Sequence, residues 1–101
     1  DLDVIEIHEA FAGQVLAVLS ALESQAFAEK LGRSDPIAKI DMNKINSWGG
    51  SLSLGHPFGA TGARLVTTAA NRLRDEGGKY ALVTACAAGG LGHAMLLERM
   101  E

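Results

Sequence analysis

His8, His56 and Cys86 are the side chains of this sequence best suited to moving protons. An unperturbed imidazole titrates near ~6.5 and a thiol near ~8.5, so either serves as acid or base around neutral pH once its surroundings tune it. A His beside a Cys favours the thiolate, the nucleophilic form. Small residues flank all three: Ala10 follows His8-Glu9, Gly55 precedes His56, and Ala85, Ala87 and Ala88 surround Cys86. Such neighbours let a substrate and a backbone approach closely. Taken singly, each has a plain structural alternative. Cys86 would be inert in an apolar strand, His56 would cap a helix ahead of Pro57, and His8 would be hydrogen-bonded in the interior. His93 reads as a satisfied surface histidine.

Other chemistries find less support. His8-Glu9-Ala10-Phe11-Ala12 lacks the second His of a His-Glu-x-x-His zinc motif, and one Cys with scattered His has no ligand spacing. Gly49, Gly50, Gly55, Gly59 and Gly62 do not form a Gly-x-x-x-x-Gly-Lys-Ser/Thr phosphate cradle. Gly90-Leu91-Gly92 lacks the third glycine of the dinucleotide fingerprint and precedes a strand rather than a helix.

The elements that must position these residues follow from periodicity. Val4-Ile5-Glu6-Ile7 is a β-branched run, expected as a mostly buried strand. From Glu9 to about Leu31 a helical period takes over, with Phe11, Val15, Leu19, Leu22 and Ala26 on one face and Gly32 as the stop. Gly32 to Lys44 reads as a loop, Asn43 to Trp48 as a second strand, and Ser51 to Gly62 as a shaped loop. A second helix is expected from near Pro57, with Val66, Ala69, Ala70 and Leu73 inward and Gly77-Gly78 closing it. Tyr80 to Ala85 is continuously apolar, as in a central strand, and Ala94 to Glu98 is expected to pair with it antiparallel. The order β-α-β-α-β-β predicts a layered α/β fold. His8, His56 and Cys86 then fall at carboxyl ends of strands or just beyond, the edge where open α/β sheets bind ligands.

Composition excludes several classes. With 101 residues the chain fits one small domain, and 48% hydrophobic residues are a normal globular share. A net charge of −3 gives no basic footprint for nucleic acid. No stretch approaches the ~20 apolar residues of a spanning helix. No signal peptide is visible, and the single cysteine allows no internal disulfide, in keeping with a reducing compartment. The absence of an initiator Met suggests a piece of a longer protein.

Three motifs, in this order, resemble the thiolase family, and specifically its C-terminal domain. They are His8-Glu9-Ala10-Phe11-Ala12, the Gly-His-Pro of Leu54-Gly55-His56-Pro57-Phe58-Gly59-Ala60-Thr61-Gly62, and Cys86-Ala87-Ala88-Gly89-Gly90-Leu91-Gly92. The resemblance spans residues 1–101 as one domain and implies the layered thiolase fold. It implies that His56 activates a nucleophilic cysteine and polarises the bound carbonyl, and that Cys86 is the general acid/base. It places the backbone amide of Ala88 in an oxyanion hole, with Gly55, Gly89 and Gly90 shaping the loops. His8 stands where many thiolases have an Asn that holds a catalytic water. Ala88 replaces a Gly and Trp48 a usually smaller residue, and His8-Glu9-Ala10-Phe11 together with Cys86-Ala87-Ala88-Gly89-Gly90 resembles the branch that includes β-subunits of fatty-acid oxidation complexes.

That branch implies cleavage of 3-ketoacyl-CoA by coenzyme A, which enters as a substrate, with no separate cofactor. Biosynthetic acetyl-CoA acetyltransferase is the near alternative, and a non-catalytic domain binding acyl-CoA or a partner is the distant one. A ketosynthase-like arrangement would use a second His where Cys86 stands. The implied partners are the protein's own N-terminal thiolase domain, further copies of itself, and an α-subunit with hydratase and dehydrogenase activities. The implied location is the bacterial cytoplasm or the mitochondrial matrix. With Cys86 assigned to acid/base work, no cysteine is left for the nucleophile, so the chain alone is expected to be inactive.

Overall fold

A computed structural model describes residues 1–100. Val4–Ile7 forms β1, and all four of its residues are buried, as a β-branched run covered on both faces requires. Its neighbour is β2, Tyr80–Ala87, which runs parallel to it with Val4 opposite Ala81 and Ile7 opposite Thr84. The outer strand β3, Leu91–Glu98, is antiparallel to β2 and sets Gly92 opposite Cys86. The sheet order is therefore β1-β2-β3. Ala88, Gly89 and Gly90 make the hairpin loop, and both glycines have left-handed φ, 86° and 78°, which a Cβ would strain.

A helix covers each face of this sheet. Helix α1, Ala12–Glu23, packs Val15 and Leu19 onto Ile5 and Ile7. Further along the chain, Thr61–Asp75 is a helix (α4, in order after two short ones) that packs Leu65, Ala69 and Leu73 onto Val4, Ala81 and Val83. The period-two alternation of β1 thus feeds two small cores, each fully buried aliphatic side chain contributing about 1.5–3 kcal/mol.

One polar pair is buried within the α4 face. Glu6 and Arg72 are each about 1% exposed and lie 3.3 Å apart, Nη1 to Oε2. The same nitrogen donates to the carbonyl of Lys44 at 3.1 Å, and Nε donates to Glu76 at 3.0 Å. Arg72 therefore ties β1, α4 and the segment before Ile45 together. Burial pushes the Glu6 carboxyl up to about 7, against the downward pull of Arg72.

Several sequence expectations are corrected. The helix expected from Glu9 to Leu31 begins at Ala12 and breaks at Ser24, whose Oγ accepts from the Phe27 amide and caps a second helix, α2, Gln25–Lys30. The break resets the phase, so Ala28 is buried where Ala26 was expected, and Phe11 remains exposed. The expected strand Asn43–Trp48 does not form. Met42–Lys44 is a 3₁₀ turn, and a single bridge joins Ile45 to Ile5.

The reason lies at the next residue. Asn46 adopts a left-handed φ of 46°, which turns the backbone away from β1. Its side chain continues the ladder instead: Oδ1 accepts from the Ile7 amide and Nδ2 donates to the Ile7 carbonyl, both at 2.8 Å. Within the expected loop, Ser51–Leu54 forms a short helix, α3, and α4 begins at Thr61 rather than near Pro57. The element order is accordingly a β-strand, four helices and a β-hairpin, still an α/β layered fold.

Candidate functional site

The carboxyl end of the sheet gathers the reactive side chains. His8 directly follows β1, and its amide donates to the Thr84 carbonyl at 2.8 Å, extending the β1–β2 pairing by one rung. The Asn46 clamp on Ile7 fixes the other edge of β1 and delivers α3 and the residues after it to the same end of the sheet. Gly55, with φ of 100°, lets the chain turn sharply between α3 and His56.

The result is a pair of stacked imidazoles. The His8 and His56 ring centroids are 4.2 Å apart with planes tilted by 40°. Phe58 packs on the other side of His56, centroids 4.8 Å apart. His8 is 4% exposed, whereas His56 lies open at the surface. Burial, then the neighbouring His56 and Arg64, hold the His8 imidazole below its ordinary pKa, with Glu9 pulling the other way.

Each ring is held at Nδ1 by a hydroxyl. Thr61 Oγ1 lies 2.7 Å from Nδ1 of His56 and donates its hydrogen to the Pro57 carbonyl at 3.2 Å. That hydroxyl therefore accepts from His56, which leaves Nε2 of His56 as a free lone pair able to take a proton. Ser51 Oγ lies 2.8 Å from Nδ1 of His8. Arg64 reaches the same neighbourhood, donating to Ser51 Oγ at 3.2 Å and to the Gly55 carbonyl at 2.9 Å.

Cys86 occupies the penultimate position of β2 and is exposed, so it is not an inert core thiol. It shares a cavity of about 400 Å³ with His8, and the walls also include Ile7, Val18, Thr84 and His93. His56 is not part of those walls, so the structure joins His56 to His8 directly and Cys86 to His8 through the cavity. Ala88 sits in the exposed hairpin loop just after β2, with Gly89 and Gly90 turning its backbone. His93 is exposed on β3 opposite Ala85.

Ser51, Thr61, Arg64 and Asn46 hold the site together, and sequence reasoning did not single them out. Ser51 and Asn46 lie 43 and 39 positions from the residues they hold, and no local pattern marks such partners. Thr61 carries a fainter signal, since a hydroxyl five residues beyond a His at a helix start can fold back on it.

Comparison with known proteins places this arrangement. Residues 1–99 match the family described as Thiolase, C-terminal domain. The mitochondrial trifunctional enzyme subunit beta of Bos taurus is 63% identical over 99 residues, covering 97% of this chain and 21% of that protein. The corresponding subunit of Homo sapiens is 62% identical over the same length, with the same coverage of 97% and 21%. The 3-ketoacyl-CoA thiolase of Yersinia pestis is 59% identical over 99 residues, covering 97% of this chain and 23% of that protein. The crystal structure of human mitochondrial 3-ketoacyl-CoA thiolase superimposes with a TM-score of 0.73 at 35% identity, covering 98% of this chain and 21% of that one. The chain thus spans about a fifth of the length of these relatives.

Proposed function

The chain belongs to the thiolase family as its C-terminal domain, and on that premise we propose that it supplies the His/Cys half of the active site of a degradative 3-ketoacyl-CoA thiolase. The observation that carries this reading is the His8–His56 pair, with Cys86 lining the same cavity as His8 at one end of the sheet. The reaction has coenzyme A and 3-ketoacyl-CoA as substrates and shortens the acyl chain in fatty-acid β-oxidation.

In this reading the residues divide the work. Nε2 of His56, its lone pair free, takes the proton of a cysteine thiol supplied by another part of the protein. The thiolate attacks the 3-keto carbon, and His8 donates to the oxygen that becomes anionic. Breaking the C2–C3 bond leaves an enolate of acetyl-CoA, which takes the Cys86 proton at C2. Coenzyme A then attacks the acyl-enzyme as the Cys86 thiolate removes its thiol proton, and the expelled cysteine thiolate takes back the proton held by His56, restoring the starting state. The amide of Ala88, at the head of the hairpin loop, is one backbone donor of a second oxyanion hole, whose other donor comes from another part of the protein.

The likeness to trifunctional enzyme β-subunits supports a partner subunit of the α type, assembly with further copies of itself, and a mitochondrial or bacterial cytoplasmic setting. Biosynthetic acetyl-CoA acetylation uses the same residues in the opposite direction, and the His8 signature favours degradation.

The test is thiolysis. A longer chain joining this domain to a thiolase N-terminal part should cleave medium- and long-chain 3-ketoacyl-CoA, and should lose that activity with Cys86→Ala. The 101-residue chain has one cysteine and should not turn over. Thiolysis by the short chain above its own Cys86→Ala control would overturn this division of labour. Absence of thiolysis by the longer chain would overturn the function.

A further inference from the structure

The Ser51 hydroxyl lies between two groups of different character. A guanidinium only donates, and Arg64 Nη2 already fills one lone pair of Ser51 Oγ at 3.2 Å. The remaining neighbour is Nδ1 of His8 at 2.8 Å, and Ser51 is 7% exposed, so its hydrogen does not go to water. A hydroxyl has one hydrogen, and here its acceptor is Nδ1. The proton of neutral His8 is then on Nε2, the reverse of His56, whose Nδ1–H is taken up by Thr61.

We propose that Ser51, held by Arg64, is a positioning residue that locks His8 as the Nε2–H tautomer, so that two stacked imidazoles present one donor and one acceptor at Nε2. The purpose rests on the thiolase reading, in which one ring must accept a thiol proton while its neighbour donates to an oxygen becoming anionic. Were both rings the same tautomer, the site would have two bases or two donors. The charged groups facing His8 are Arg64 on α4, His56 ahead of α4 and Glu9 beside it. Arg64 and His56 act in the same direction as burial, keeping the ring neutral so that the tautomer is defined.

Long-range proton–nitrogen correlation spectra of the ¹⁵N-labelled 101-residue chain read both tautomers directly. His8 should show an unprotonated Nδ1 and a protonated Nε2, and His56 the opposite pattern. Ser51→Ala should collapse the His8 pattern to an averaged one and leave His56 unchanged, while Ser51→Thr, which keeps the hydroxyl, should retain the native pattern. A proton on Nδ1 of His8 in the unaltered chain would overturn the proposal, even if Ser51→Ala failed to fold. So would an unchanged His8 pattern in folded Ser51→Ala. The measurement needs no turnover, so a wrong tautomer refutes this inference alone, whereas an inactive longer chain refutes the thiolase reading alone.

Discussion

The imidazoles of His8 and His56 stack at 4.2 Å although one directly follows the first strand and the other precedes the last helix. After burial, the neighbouring His56 is the next cause that opposes protonation of His8.

A pH dependence of stability follows. In the unfolded chain His8 takes a proton near 6.5, while in the fold its pKa is lowered. Between those values the unfolded state binds more protons, so stability falls as pH drops. Above about pH 6.5 His8 contributes no slope. Urea midpoints from about pH 7.5 to about pH 5 should fall more steeply for the native chain than for His8→Asn. Equal slopes would refute the assignment.

Glu6 acts in the opposite sense. Its folded carboxyl is raised from 4.5 to about 7, so its contribution is full below pH 4.5 and is lost as pH rises towards 7. Arg72→Met leaves that carboxyl buried without its partner. We expect a loss of about 3–5 kcal/mol at about pH 8, where Glu6 is charged, and a much smaller loss at about pH 5.5. The same loss at both pH values would show that packing, not charge, is at issue.

Asn46→Asp keeps the shape and the left-handed backbone but replaces the donating amide with a second acceptor against the Ile7 carbonyl. The expected cost is about 1–3 kcal/mol in a denaturant melt, the penalty of an unmade, partly buried hydrogen bond. A melt within error of the native chain would mean that the clamp is not needed.

Cys86 is exposed, so Cys86→Ala should change stability by no more than about 0.5 kcal/mol. In the longer chain it should lower kcat by about 10²–10⁴-fold, the usual contribution of a positioned acid/base. Calorimetry of the short chain and thiolysis kinetics of the longer one separate the two effects. Normal kcat in the variant would remove Cys86 from the mechanism.

Much of this was legible in the sequence. The β-branched run Val4–Ile7 and the hairpin around Gly89-Gly90 have strong local signatures, and both formed. The placing of His8 and Cys86 at one sheet end followed from the strand ends that precede His8 and hold Cys86, whereas His56 was expected there after a strand that did not form and arrives instead through the Asn46 clamp and α3. The expected strand at Asn43–Trp48 failed because a side chain took over the ladder that a backbone would have continued. The helix break at Ser24 was hidden because its Oγ cap looks like one more polar position on a helical surface. No local pattern marks Arg72 in the sequence, and its buried position is explained by Glu6, the Lys44 carbonyl and Glu76 around it.

The amide clamp at Asn46 also divides the chain into parts with different freedom to change length. Residues 31–41 are largely irregular and exposed, and they lie on the far side of that clamp from His56. Doubling such a loop adds only about 0.6 kcal/mol of closure entropy. Insertions there leave the two histidines in register, because the register is taken from Ile7 and not from the loop. From Asn46 to Thr61 the opposite holds, and one residue more or fewer would carry His56 away from its partner.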